Sequence, residues 1–238
     1  MIRTGTARVV VALGTAGPDV AALEAAARLA AAVQADLAAL FVEDVNLLRL
    51  AALPGALEFG FGSAAPRQIE AASIERALRV RAAVLRRRLG AMAGQHAVSW
   101  TFEIARGHLP RVVLESGGDI VVLAAPQHRY PGTVARRAGE RPRVAALLRD
   151  AEESRRVLAT AEALAGETGE IVVLRAGTGA APEPAAARRR SVAVADWDAL
   201  AAALARERVT ALVTAAPATA AELEQLAQAA RAPVVLVR

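Results

Sequence analysis

The chain contains no cysteine and no lysine. Without cysteine there is no disulfide, no thiolate nucleophile and no Cys-ligated metal. Without lysine there is no P-loop lysine, no pyridoxal Schiff base and no lysine general base. Aromatic residues are scarce, at 3% against 55% hydrophobic residues, so any core is built from Ala, Leu and Val. The three histidines, His96, His108 and His128, follow no metal-ligand spacing. They complete no Ser–His–acid set, and there is no G-x-S-x-G elbow. No apolar run is long enough to span a bilayer. The opening stretch "MIRTGTARVVVALG" enters a strand without a signal-peptide layout. A cytoplasmic protein with no membrane partner is the expectation.

All 29 basic residues are arginines, set against 24 acidic ones for a net charge of +5. No base-stacking aromatics interleave with the arginines, so a nucleic-acid partner is not expected. The chain has 238 residues, enough for one large or two small domains.

The periodicity alternates between strand and helix. "RVVVAL" (8–13) is a β-branched run followed by a Gly14/Gly17 turn and Pro18 at a helix start. "VAALEAAARLAAAV" (20–33) is helical, and "ADLAALFVED" (35–44) is a second strand. Strand, helix and strand within so short a span form a βαβ unit with parallel strands. Leu47 to Leu53 give a helical turn or two, ended by Pro54, Gly55, Gly60 and Gly62. A long helix is predicted over about 67–93, a strand over "AVSWTFEIARG", a short helix over "LPRVVLES" and a fourth strand over "DIVVLAAP". Residues 126–142 are rich in Arg, Pro and Gly and read as a linker. Beyond them come strands at 143–148, 170–177, 190–196 and 209–217, helices at 151–169 (with Asp150 as N-cap), "WDALAAALARER" and "TAAELEQLAQAAR", and a last strand "PVVLVR". The halves echo each other, "GDIVVLAAP" against "VTALVTAAP", which points to an internal duplication.

Several glycine-bearing stretches invite a phosphate reading. "GTAG" (14–17) lies between a strand and a helix start, where free amides favour anions, but a tight turn explains it. "SGGD" (116–119) ends a helix instead of opening one, so Gly117 reads as a C-cap. "GTGAAP" (177–182) lacks a third glycine, and Pro182 and Pro184 spoil the helix that should follow. Leu47–Leu53 with Phe59 and Phe61 reads as core or lid packing, the competing reading being a protein interface. Arg188–Arg190 reads as a solvated strand start.

The order of elements resembles the universal stress protein family. "LFVED" (40–44), "EIARGHLPRVVLES" (103–116) before "DIVVLAAP", and "ARAPVVLVR" (230–238) carry the resemblance, which covers nearly the whole chain as two copies. It implies an α/β fold of two tandem Rossmann-like parallel sheets flanked by helices, with strand order 3-2-1-4-5 and the second copy abbreviated. The implied domains are 1–125 and 143–238, joined by the 126–142 linker. Ligands in such sheets bind outside the strand carboxyl ends, where the strand order reverses. By fold position Gly14, Thr15, Val42, Arg106 and Ala124 would line that crevice. ATP-binding members of the family carry G-x2-G-x9-G-[ST] after strand four, because a Cβ would block approach to the phosphates. Neither Ala124 onward nor "TAAPATAAELEQ" (214–225) has those glycines. The expectation is a stress-associated, non-enzymatic module that binds a small ligand or a protein, forms a homodimer and has a protein partner whose identity the sequence leaves open. It requires no cofactor and holds ATP or AMP weakly if at all. The alternative is a nucleotide binder or enzyme using Arg106, Arg129 or Arg136 on the phosphates.

Overall fold

In a computed structural model of the chain, residues 7–15, 20–58, 67–124, 142–149, 151–176 and 188–238 are described. Each aliphatic run becomes a strand whose side chains alternate between two helical layers. The strands are Arg8–Leu13 (β1), Asp36–Asp44 (β2), the two-residue Leu57–Glu58 (β3) and Arg67–Gln68 (β4), Trp100–Gly107 (β5), Ile120–Leu123 (β6), Arg143–Leu148 (β7), Glu170–Ala176 (β8), Arg189–Val194 (β9), Ala211–Ala215 (β10) and Val234–Val237 (β11). The helices are Val20–Ala32 (α1), Val45–Ala51 (α2), Ala71–Gln95 (α3), Leu109–Glu115 (α4), Ala151–Ala165 (α5), Trp197–Glu207 (α6) and Ala220–Ala230 (α7). The long helix thus starts at Ala71, after a small β3–β4 hairpin that the periodicity does not reveal.

Nine of the strands form one sheet in the order β5-β2-β1-β6-β11-β10-β7-β8-β9. Every pair within a half is parallel. The pair that joins the halves, β6 with β11, is antiparallel, with Val121 opposite Leu236 and Val122 opposite Val235. The two expected sheets are therefore joined edge to edge into one. The second half has the full 3-2-1-4-5 set, and the first half has 3-2-1-4, with β11 standing beyond its β6. The brevity of the second half lies in its helices: the first half places α2, the hairpin and α3 between β2 and β5.

Val9, Val11 and Leu13 of β1 point into a layer with α1, α3 and α5, while Val10 and Ala12 point into one with α4, α6 and α7. Both layers contain residues of both halves, so the core is continuous across the junction. The alanine-rich face of α1 (Ala22, Ala26, Ala27, Ala30), with Leu23 and Leu29, is buried against the sheet. Small side chains let helix and sheet approach closely without aromatic filler.

Two local expectations are corrected. Gly117 does not cap α4; the C-cap is Ser116 in an extended conformation. The helix needs no left-handed glycine because the Arg238 guanidinium takes its last carbonyls: Val113 O at 2.8 Å, Leu114 O at 2.9 Å, and Ser116 O. Nor is Arg188–Arg190 merely solvated. Arg188 donates to Gly166 O and Gly169 O at 3.2 Å each and to Glu167 O, Arg189 pairs with Glu162, and Arg190 pairs with Glu207 at 3.5 Å. The linker 126–141, Asp150, the 177–187 loop, Gly17, Pro18, Phe59, Phe61, His128, Arg129 and Arg136 lie outside the described residues.

Candidate functional site

Because β6 and β11 run in opposite directions, the two halves point their strand carboxyl ends to opposite ends of the sheet. Each half therefore has its own crevice where the strand order reverses: between β1 and β6 in the first, between β7 and β10 in the second.

In the first crevice, Gly14 and Thr15 follow β1 and Ala124 follows β6. The Ala124 amide is 3.5 Å from Ala12 O, so the two strand ends are adjacent. Arg106 stands at the end of β5, directly opposite Glu43 of β2 in the parallel register. These four predicted residues are brought to one end of the sheet. Val42 is at the same end but only 1% exposed, so it offers no surface to a ligand.

Three contacts occupy this end. Arg106 Nε donates to Glu43 Oε2 at 2.8 Å. That hydrogen bond, then the Glu43 charge, raise the Arg106 pKa above its ordinary value, and the guanidinium stays charged wherever the protein folds. Arg81 of α3 donates from Nε to Gly14 O at 3.3 Å. Leu109 of α4 lies against Gly14: a Cβ built there would stand 3.4 Å from Leu109 Cδ2. His108 is the N-cap of α4 and its side chain makes no capping bond.

The second crevice is organised by α7. Thr219 is its N-cap and accepts from the Glu222 amide at 3.2 Å, while Glu222 Oε2 accepts from the Ala218 amide at 3.2 Å. This is a capping-box arrangement displaced by one residue. The other Glu222 oxygen pairs with Nη1 of Arg149, the residue after β7. Arg149 Nη2 is buried without a hydrogen-bond partner, as is the hydroxyl of Thr214 in β10. Thr214 is paired with Leu147, two residues before Arg149, so both project from the same side of the sheet. At this strand end a carboxylate is already seated on the arginine.

Sequence reasoning missed Glu43, Arg149 and Glu222. The signals existed: an acid ending "LFVED" and an arginine ending "FEIARG" on strands expected to be parallel neighbours, and the Thr219-x-x-Glu222 spacing of a capping box. Among the described residues no group of three His, Asp or Glu side chains is placed to hold a metal ion. No helix of the described residues is long and apolar enough to cross a membrane.

No family model matches the sequence, and no curated protein matches it. Solved structures do match. A universal stress protein from Archaeoglobus fulgidus DSM 4304 superposes with a TM-score of 0.51 at 11% identity, covering 96% of each chain. A functionally unknown protein from Pseudomonas aeruginosa PAO1 superposes with a TM-score of 0.51 at 11% identity, covering 98% of this chain and 92% of that one. At this identity the likeness is one of fold: the chain has the α/β fold of universal stress protein structures.

Proposed function

We propose that this protein is a non-enzymatic, stress-associated regulatory module of the cytoplasm, with ATP binding weak or lost. The observation that carries this reading is that the chain's own groups already partner the charged side chains at the carboxyl ends of both sets of strands. Arg106 is held by Glu43, Leu109 abuts Gly14, and Glu222 sits on Arg149 where a ligand anion would otherwise go. A phosphate chain entering the second crevice must displace the Glu222–Arg149 ion pair, and the sequence after neither β6 nor β10 has the spaced glycines of a phosphate cradle. A small ligand remains compatible with the second crevice, where Arg149, paired with Glu222, is the cationic group beyond the end of β7. Occupancy there would act by population shift, changing the seat of α7 and the surface it presents to a protein partner. A homodimer forms part of this reading and is checked by mass in solution.

Thermal denaturation with nucleotide tests it. If ATP bound the native state with a Kd one-hundredth of its concentration, stability would rise by about 2.7 kcal/mol. For a chain of this size that moves Tm by roughly 5–10 °C. The expected result with millimolar ATP or AMP is no shift; a shift of that size favours the alternative of a nucleotide binder with arginine phosphate contacts and ends this reading.

A further inference from the structure

Arginine is in excess over acid in several stretches of the chain, residues 45–88 among them. Residues 45–88 hold eight arginines and three glutamates, an excess equal to the whole net charge of +5. The remainder of the chain balances. The described residues of 45–88 form α2, the paired strands β3 and β4, and most of α3. Arg49, Arg76, Arg86, Arg87 and Arg88 are exposed there. Successive turns of α3 place Arg76, Val80, Ala83 and Arg87 on one outward ridge, opposite the buried Leu78, Ala82, Leu85 and Leu89.

Four of the five large aliphatic side chains that are at least half exposed among the described residues lie in this unit; the fifth, Ile104 at 54%, is on β5. Leu50, Leu53 and Leu57 are 51%, 58% and 50% exposed, and Val80 is 59% exposed. Ala52, Pro54 and Gly55 between the leucines are exposed as well, so the stretch is a continuous solvent-facing surface. It is nonetheless held. Asp44 caps α2 by accepting from the Asn46 amide at 2.8 Å, Gly55 takes a left-handed φ of +75°, and the Ile69 amide donates to Ala56 O at 2.9 Å. Exposed leucines on a fixed backbone, in a unit with an excess of exposed arginines, are the combination that seats at an anionic lipid interface, with leucines at acyl depth and guanidinium groups among the headgroups.

We infer that the α2–α3 unit is a peripheral docking surface for an anionic bilayer. Surface contact of this kind needs no membrane span. A duplex nucleic acid would use the arginines and leave the leucines in water. An acidic protein would have to bring an apolar surface to cover the exposed leucines.

Sedimentation with vesicles tests the inference on the full chain. Vesicles of about 30 mol% phosphatidylglycerol in phosphatidylcholine should carry the protein down at low salt, and pure phosphatidylcholine vesicles should not. Replacing Arg49, Arg76 and Arg87 together by Gln should weaken partitioning by about fivefold per arginine. The double change Leu50→Ser and Leu53→Ser should weaken it about tenfold or more at unchanged charge. All these positions are exposed, and an unaltered melting temperature confirms the fold of each variant. No sedimentation with the anionic vesicles overturns the inference. So does wild-type partitioning by the leucine variant, which would mean adsorption by charge alone. Tighter binding to a DNA duplex or to polyglutamate than to the vesicles assigns the surface to those partners instead.

Discussion

Leu236 lies at the junction of the two halves, and its truncation to Ala tests whether they are one thermodynamic body. Its neighbours across the sheet are Val121 of the first half and Thr214 of the second, and it is fully buried. Leu236→Ala removes buried methyls and leaves a cavity between rigid strands, which costs about 2–5 kcal/mol; about 3 is reasonable for a mid-sheet site. With a urea m-value of about 3 kcal/mol/M for a chain of this length, the midpoint falls by roughly 1 M. The two tryptophans allow each half to be read separately. Trp100 is on β5 and Trp197 on α6, so Trp197→Phe leaves a reporter of the first half and Trp100→Phe one of the second. Both reporters should give coincident urea transitions in the parent, and Leu236→Ala should move both by the same amount. If only the Trp197 signal moves, or if the reporters have separate midpoints beforehand, the halves are independent domains. The argument from the shared sheet and core would then be wrong.

Two further predictions concern the backbone. Arg238→Ala strips the last turn of α4 of its guanidinium donors and should cost about 1–3 kcal/mol by urea denaturation; Arg238→Lys should recover only part, since one ammonium cannot serve a fork of carbonyls. Gly118→Ala should destabilise by about 1–3 kcal/mol, because its Cβ would meet Val10 Cγ2 at 2.6 Å and Ile120 O at 3.2 Å, whereas Gly94→Ala, with nothing within 4 Å of the new Cβ, should gain about 0.5–1 kcal/mol in helix α3. Equal melting temperatures for the two glycine variants would refute the packing argument.

The fold was legible where side-chain chemistry alone decides it. "RVVVAL" is buried on both faces and cannot be anything but an interior strand, and its bounds are those read from the pattern. The same logic served β7; α3, read from about 67, starts at Ala71, and α5, read to 169, ends at Ala165, because the apolar period does not fix where a helix begins or ends. What pattern cannot carry is the identity of a neighbour. "PVVLVR" reads as a last parallel strand in either of two arrangements, and nothing in its composition says that its free side pairs in reverse with β6. The positions of Gly14, Thr15, Arg106 and Ala124 at one sheet end followed from parallel topology. Their occupancy did not, because Leu109 and Arg81 reach that end from helices distant in sequence. Val42 illustrates the limit: at a strand end, alternation alone does not say whether a residue is exposed or buried.

The arginines follow the same division. By composition they make a basic protein, of sequence pI about 11.1. Many of them are nevertheless internal parts. Arg28 of α1 donates to Leu164 O at 2.8 Å near the end of α5, Arg143 to Glu207 O at 2.9 Å at the end of α6, Arg188 to the carbonyls after α5, and Arg238 to those of α4. A helix carboxyl end carries orphan carbonyls and partial negative charge, and a planar five-donor cation satisfies several of them at once where lysine would satisfy fewer. Two of these contacts, Arg28 to α5 and Arg238 to α4, also tie one half to the other. Arginines used in this way are not available to an external anion, so the overall pI overstates what the surface offers. The arginines of residues 45–88 behave differently: Arg76, Arg86, Arg87 and Arg88 rise from a helix whose opposite face is buried, and none of them caps a described helix. These four side chains are therefore available to a negatively charged surface.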